Sequence, residues 1–132
     1  MRPRPWRQPA LMVEPVAPPS VVAELLRSKL LEDGAAKWRA TGASMRGAVA
    51  DGTVVNLRPA VGDQLRKGDV VIAELPSGLA VHRVTRIVNG CVRLRGDARR
   101  RADPLIPVDA VIGAVEPAPP ARVRSFLYRL LP

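Results

Sequence analysis

The sequence predicts a mainly β fold, and three features carry that prediction. From residue 36 onward, short runs rich in Val, Ile and Leu recur at 37–41, 53–58, 70–75, 79–88, 91–95 and 111–115. Nearly every boundary between them pairs a glycine with a turn-forming polar residue, as in Asp51-Gly52, Gly62-Asp63, Gly68-Asp69 and Gly96-Asp97. Asn89-Gly90 lies between two such runs and is the strongest two-residue hairpin signal a sequence offers; Pro76-Ser77-Gly78 marks a second hairpin.

The elements follow in order. Residues 1–19 are rich in Pro and Arg, which predicts an extended arm; with no apolar centre, the first ten residues do not read as a secretory signal. Ser20 is placed as an N-cap for a helix over 21–32, with Val21, Val22, Leu25, Leu26, Leu30 and Leu31 as its apolar stripe and Gly34 as its stop. The β-rich runs complete a domain over 20–116. A proline-rich link then leads to 122–131, where Val123, Phe126, Leu127, Leu130 and Leu131 alternate with Arg122, Arg124 and Arg129. That segment, within 117–132, reads as a short basic amphipathic helix suited to an anionic membrane surface, a partner, or its own domain.

Composition narrows the function classes. A chain of 132 residues has the size of one domain, and with 47% hydrophobic but 3% aromatic residues its core is built from aliphatic side chains. The net charge of +9 suits nucleic acid, anionic lipid or an acidic peptide. No reading helix or aromatic platform accompanies the charge, which argues against a dedicated nucleic-acid role. No apolar run is long enough to span a membrane, so the expected location is cytoplasmic, with peripheral membrane contact through 122–131 as an option. One cysteine excludes an internal disulfide, and one histidine with one cysteine gives no metal-ligand set; no cofactor is expected.

The chemistry-bearing stretch is Thr41-Gly42-Ala43-Ser44-Met45-Arg46-Gly47. Gly42 and Gly47 allow a sharp turn that exposes the Ser44 hydroxyl and aims backbone N–H groups at one point, as an oxyanion site requires. His82, the only histidine, falls in the 79–88 run, where alternation sets Ala80, His82 and Val84 on one face and Val81, Arg83 and Thr85 on the other. An imidazole is the side chain suited to take a proton from a serine hydroxyl near neutral pH. Asp97 and Asp103 bound a polar loop beyond it, and either carboxylate is placed to hold that imidazole in one tautomer. Cys91 sits inside a strand run and is not read as a nucleophile.

In order, Gly42-Ala43-Ser44-Met45, Gly68-Asp69-Val70-Val71, Val81-His82-Arg83-Val84, Gly96-Asp97 with Asp103, and Val111-Ile112-Gly113 resemble the signal peptidase I superfamily, which includes the LexA-type autoproteases. The resemblance covers about 41–115. It implies a partly open β-barrel and a serine endopeptidase that cleaves a leader, signal or precursor peptide, with small residues before the cut. Ser44 falls on the nucleophile. His82 falls where most bacterial members carry a lysine, as in the Ser-His-Asp branch of the endoplasmic reticulum, archaea and sporulating bacteria. The match favours Asp103 as the group orienting His82, with Asp97 supporting the loop. Gly42, Ala43 and Met45 complete the nucleophile turn. Three positions depart from the pattern: Gly47 stands where proline is common, Gly42 where a hydroxyl residue assists the oxyanion, and Ala98 where asparagine follows Gly-Asp. The membrane anchor of signal peptidases is not seen in the sequence. The alternative expectation is a LexA-like module that cleaves itself or binds peptides without catalysis.

Overall fold

The computed structural model describes residues 19–60 and 62–120. The arm at 1–18 and the helix expected at 122–131 lie outside the described residues. One helix, α1 (Pro19–Asp33), precedes a seven-stranded sheet: β1 (Ala36–Arg39), β2 (Val54–Pro59), β3 (Val70–Leu75), β4 (Gly78–Val88), β5 (Cys91–Arg95), β6 (Ile106–Pro107) and β7 (Val111–Val115). The spatial order is β1-β2-β7-β3-β4-β5-β6. Every neighbouring pair is antiparallel, and the sheet does not close on itself.

Three of the expected strands have the expected bounds, and three shift by one or two residues. The two-residue β6 was not anticipated, since Ile106-Pro107 is too short to show a period. Asn89 and Gly90 both take positive φ (40° and 78°), as a tight hairpin between twisted strands demands. At the other hairpin Leu75 pairs with Gly78 across Pro76-Ser77.

Helix α1 corrects the expected stripe. It starts at Pro19, so Ser20 lies inside the helix and not at its cap. Ala23, Leu26 and Leu30 are buried on the sheet with Val22 beside them, whereas Val21, Leu25 and Leu31 face outward, Leu31 at 87% exposure. The helix is apolar around much of its circumference, and only positions three or four apart share the face that touches the sheet. Gly34 ends it in a left-handed conformation (φ 70°), its N–H donating to the Leu30 carbonyl at 2.9 Å.

Both faces of the sheet carry a core. One joins α1 to Trp38, Val55, Leu57, Val70, Ile72 and Val81, and also takes in Met45 and Val49 from the β1–β2 connection. The other gathers Val71, Ala73, Val84, Val92, Leu94 and Ile106. The fully buried β3, with Val70 to Ala73 at 0% exposure, is the spine between them. Burying an aliphatic side chain of that size contributes about 1.5–3 kcal/mol, so β3 and its partner β4 form the rigid part of the domain. His82 sits on β4 opposite Val71.

Candidate active site

The Ser44 turn is held at its neck, its middle and its far side. At the neck, the Ala40 N–H donates to Thr53 O (2.8 Å) and the Gly52 N–H to Ala40 O (2.7 Å). In the middle, the N–H groups of Ala48 and Val49 both donate to Met45 O, giving one helix-like turn after Ser44. Met45 is 3% exposed and Val49 4%, so this turn is anchored in the core. On the far side the loop after β5 closes on Ser44: the Ala98 N–H donates to Ser44 O at 2.8 Å, and the Asp97 N–H donates to Met45 Sδ at 3.2 Å.

Ser44, His82 and Asp103 meet in space. Ser44 Oγ is 3.0 Å from His82 Nε2, across 38 residues of chain. His82 Nδ1 lies 2.5 Å from Asp103 Oδ2. An ionised carboxylate only accepts, so the Nδ1 N–H donates to Asp103, and Nε2 is left to accept the Ser44 hydroxyl proton. The His82 side chain is 6% exposed and that of Asp103 16%, so the pair is sheltered from competing water. The Asp103 N–H donates to Leu94 O at 2.7 Å, which fixes the carboxylate relative to β5.

The turn residues divide by role. Gly42 takes φ 90°, and its N–H donates to the Asp51 carboxylate at 2.9 Å. It therefore shapes the turn and is not a free donor toward Ser44. The N–H groups of Ser44 and Met45 donate to no acceptor among the described residues. Beside Ser44 a pocket enclosing about 330 Å³, with the solvent at its mouth, is lined by Trp38, Thr41, Met45, Val49, Ala80 and Val81.

Asp97 has its own charged partner in Arg83. Arg83 grips it with two hydrogen bonds, Nε to Oδ1 at 2.9 Å and Nη2 to Oδ2 at 2.8 Å. The same guanidinium donates to Gly68 O (2.8 Å) and Pro119 O (2.7 Å), tying the β2–β3 loop and the proline-rich link to the active-site loop. Alternation had placed Arg83 opposite His82 without giving it work. The missed signal is physical: a charged side chain on a strand of a two-faced sheet needs a partner where its side of the sheet is covered. The Arg83 and Asp97 side chains are 13% and 9% exposed. Replacing Arg83 by Gln is expected to destabilise the fold by about 3–5 kcal/mol, because the buried Asp97 carboxylate loses the bidentate guanidinium that grips it. Urea denaturation measures this. Arg83→Met with Asp97→Leu should recover part of the loss, since the buried carboxylate is gone while the two carbonyls still lack their donor.

Gly96 permits the close approach of the loop to Ser44. A β-carbon added there would lie 2.6 Å from Ser44 O and 2.8 Å from Ser44 Cβ. Gly96→Ala must therefore displace Ser44 from His82, and a shift of about 1 Å lowers a catalysed rate on the order of 10²-fold. Acylation kinetics of the variant, compared with its melting temperature, check that the loss lies in the site and not in the fold.

Among the described residues no helix is long and apolar enough to cross a membrane. Compared with protein-family models, curated proteins and solved structures, the chain matches none.

Proposed function

We propose that this chain is a serine endopeptidase working through an acyl-enzyme on Ser44, with the partly open barrel and precursor-processing role of the signal peptidases it resembles. The observation that carries the reading is the continuous relay from Ser44 Oγ through His82 to Asp103, at 3.0 and 2.5 Å. His82 Nε2 takes the hydroxyl proton as Oγ attacks a peptide carbonyl. Asp103 keeps the ring oriented and stabilises the imidazolium that forms. The developing oxyanion is held by backbone donors, the unengaged Ser44 N–H first among them. His82 then returns the proton to the leaving amine, and water, activated by the same nitrogen, hydrolyses the ester. With Gly42 in place of a hydroxyl residue, one oxyanion donor is missing, which corresponds to a rate on the order of 10²- to 10³-fold below a site that has it. The small pocket beside Ser44, bounded by Trp38, Met45, Val49, Ala80 and Val81, supports a substrate with a small side chain before the cut.

The test is labelling of the purified chain by a fluorophosphonate, whose phosphorus is attacked by an activated serine hydroxyl with loss of fluoride to give a phosphonate ester, followed by peptide mapping. Modification at Ser44, abolished by His82→Ala, supports the reading. A chain that stays unmodified, or is modified at another serine, overturns it.

A further inference from the structure

The β4–β5 ribbon carries an arginine ladder. Arg83 pairs directly with Arg95 across the ribbon, and Arg86 with Arg93. Val92 and Leu94 of β5 point into the second core, so Arg93 and Arg95 stand on the opposite face. Asp97 neutralises Arg83. Arg86, Arg93 and Arg95 form no ion pair among the described residues, and neither do the exposed Arg99, Arg100 and Arg101 that follow β5. Arg93 Nε is buried with no hydrogen-bond partner among those residues. Like charges directly opposite each other weaken a β ribbon, so this ladder costs stability in the free protein.

The ladder leads to the catalytic cleft. Arg95 Nη1 donates to Arg99 O at 3.0 Å. Arg99 packs beside Gly96, which lies against Ser44. Arg46, also exposed, follows the nucleophile by two residues.

We propose that Arg86, Arg93 and Arg95, continued by the Arg99–Arg101 loop, form a track that binds an acidic segment of the peptide substrate and draws its scissile bond to Ser44. The proposal rests on the endopeptidase reading and names its substrate class. Arginines on one face of β5 are two residues, about 6.7 Å, apart, which is also the spacing of alternate side chains in an extended peptide. The track therefore fits Asp or Glu at every second position. Nucleic acid is disfavoured because Trp38, the one aromatic side chain among the described residues, lines the Ser44 pocket and offers no stacking platform along the ladder. A membrane surface is disfavoured because the exposed large apolar side chains lie elsewhere: Val21, Leu25 and Leu31 on α1, Val54 on β2, Leu105 before β6, and Ile87 on the ribbon's other face.

The experiment is fluorescence anisotropy of a labelled peptide of alternating Glu and Ser, titrated with the full chain carrying Ser44→Ala, so that catalysis does not enter. Arg86→Gln, Arg93→Gln and Arg95→Gln together should weaken binding about tenfold, the sum of three modest charge contacts. The corresponding Arg→Lys triple should keep most of the affinity. The melting temperature of the Gln triple should not fall, because relieving like-charge repulsion favours the ribbon. Binding by the parent should weaken steeply with added salt. No binding at physiological salt, or binding indifferent to the three arginines, overturns the track. So does displacement of the peptide by an RNA oligonucleotide or by phosphatidylserine vesicles at equal charge concentration. The fluorophosphonate result stands independently: either the nucleophile or the track can fail alone.

Discussion

Replacing Ser44 by alanine is expected to lower hydrolysis of an activated ester such as p-nitrophenyl acetate, and of any cleavable peptide, on the order of 10⁴- to 10⁶-fold. The geometry dictates the size. The Ser44 hydroxyl is the group that His82 Nε2 can deprotonate, at 3.0 Å, and alanine leaves the imidazole facing an empty methyl. His82→Ala should cost about as much, because an unassisted hydroxyl is a poor nucleophile at neutral pH. The double variant should be no slower than either single one, since two parts of one relay do not contribute additively. A residue of catalysis over water should survive in all three, supplied by the backbone donors of the turn. Steady-state and burst kinetics decide it: a Ser44→Ala chain that turns over at the parental rate removes the nucleophile assignment, and additive losses in the double variant remove the relay.

The stability of the variant should change little. Ser44 is half-buried, and its turn is held by the Ala98 N–H donating to Ser44 O and by the Ala48 and Val49 N–H groups donating to Met45 O, all of which alanine retains. This separates chemistry from folding, which Arg83→Gln does not.

What the chain's letters disclosed, and what they withheld, follows from how local each determinant is. Alternation along 79–88 gave the face of His82, and the Asn89-Gly90 turn fixed the partner strand, so β4 and β5 were legible from neighbouring residues alone. Thr85 complicates the register, which shifts between Val84 and Arg86, yet the hydroxyl of Thr85 donating to Arg93 O absorbs the irregularity locally. The stripe of α1 was less legible because Val21, Leu25 and Leu31 are as apolar as Leu26 and Leu30. Hydrophobicity cannot rank faces when most of them are apolar; the position of the sheet does. β6 has two residues, and its pairing depends on β5. The residue types alone left the division of labour between Asp97 and Asp103 open, and only the resemblance favoured Asp103. Both are turn aspartates near His82 in sequence order, and what separates them is Arg83, whose reach across the loop is a tertiary fact.

Asp103→Asn carries the second large effect, and it tests that division directly. Asparagine is nearly isosteric and keeps the backbone N–H that donates to Leu94 O, so the fold should hold. Its amide, however, can donate toward Nδ1. The ring then favours the tautomer with its proton on Nε2, where a donor faces Ser44 Oγ and an acceptor is needed. A wrong tautomer of this kind lowers kcat on the order of 10⁴-fold while substrate binding stays near its parental value. Asp97→Asn should show the opposite pattern. Asp97 is gripped by Arg83 and its N–H donates to Met45 Sδ, so replacing its carboxylate takes that counterion from a buried guanidinium, costing about 3–5 kcal/mol of stability. The rate per folded molecule should fall far less than in Asp103→Asn. Parallel measurement of kcat and urea midpoint on the two variants reads out both quantities. A parental kcat in Asp103→Asn beside a collapsed kcat in a stably folded Asp97→Asn would transfer the orienting role to Asp97, and with it the direction from which His82 is held.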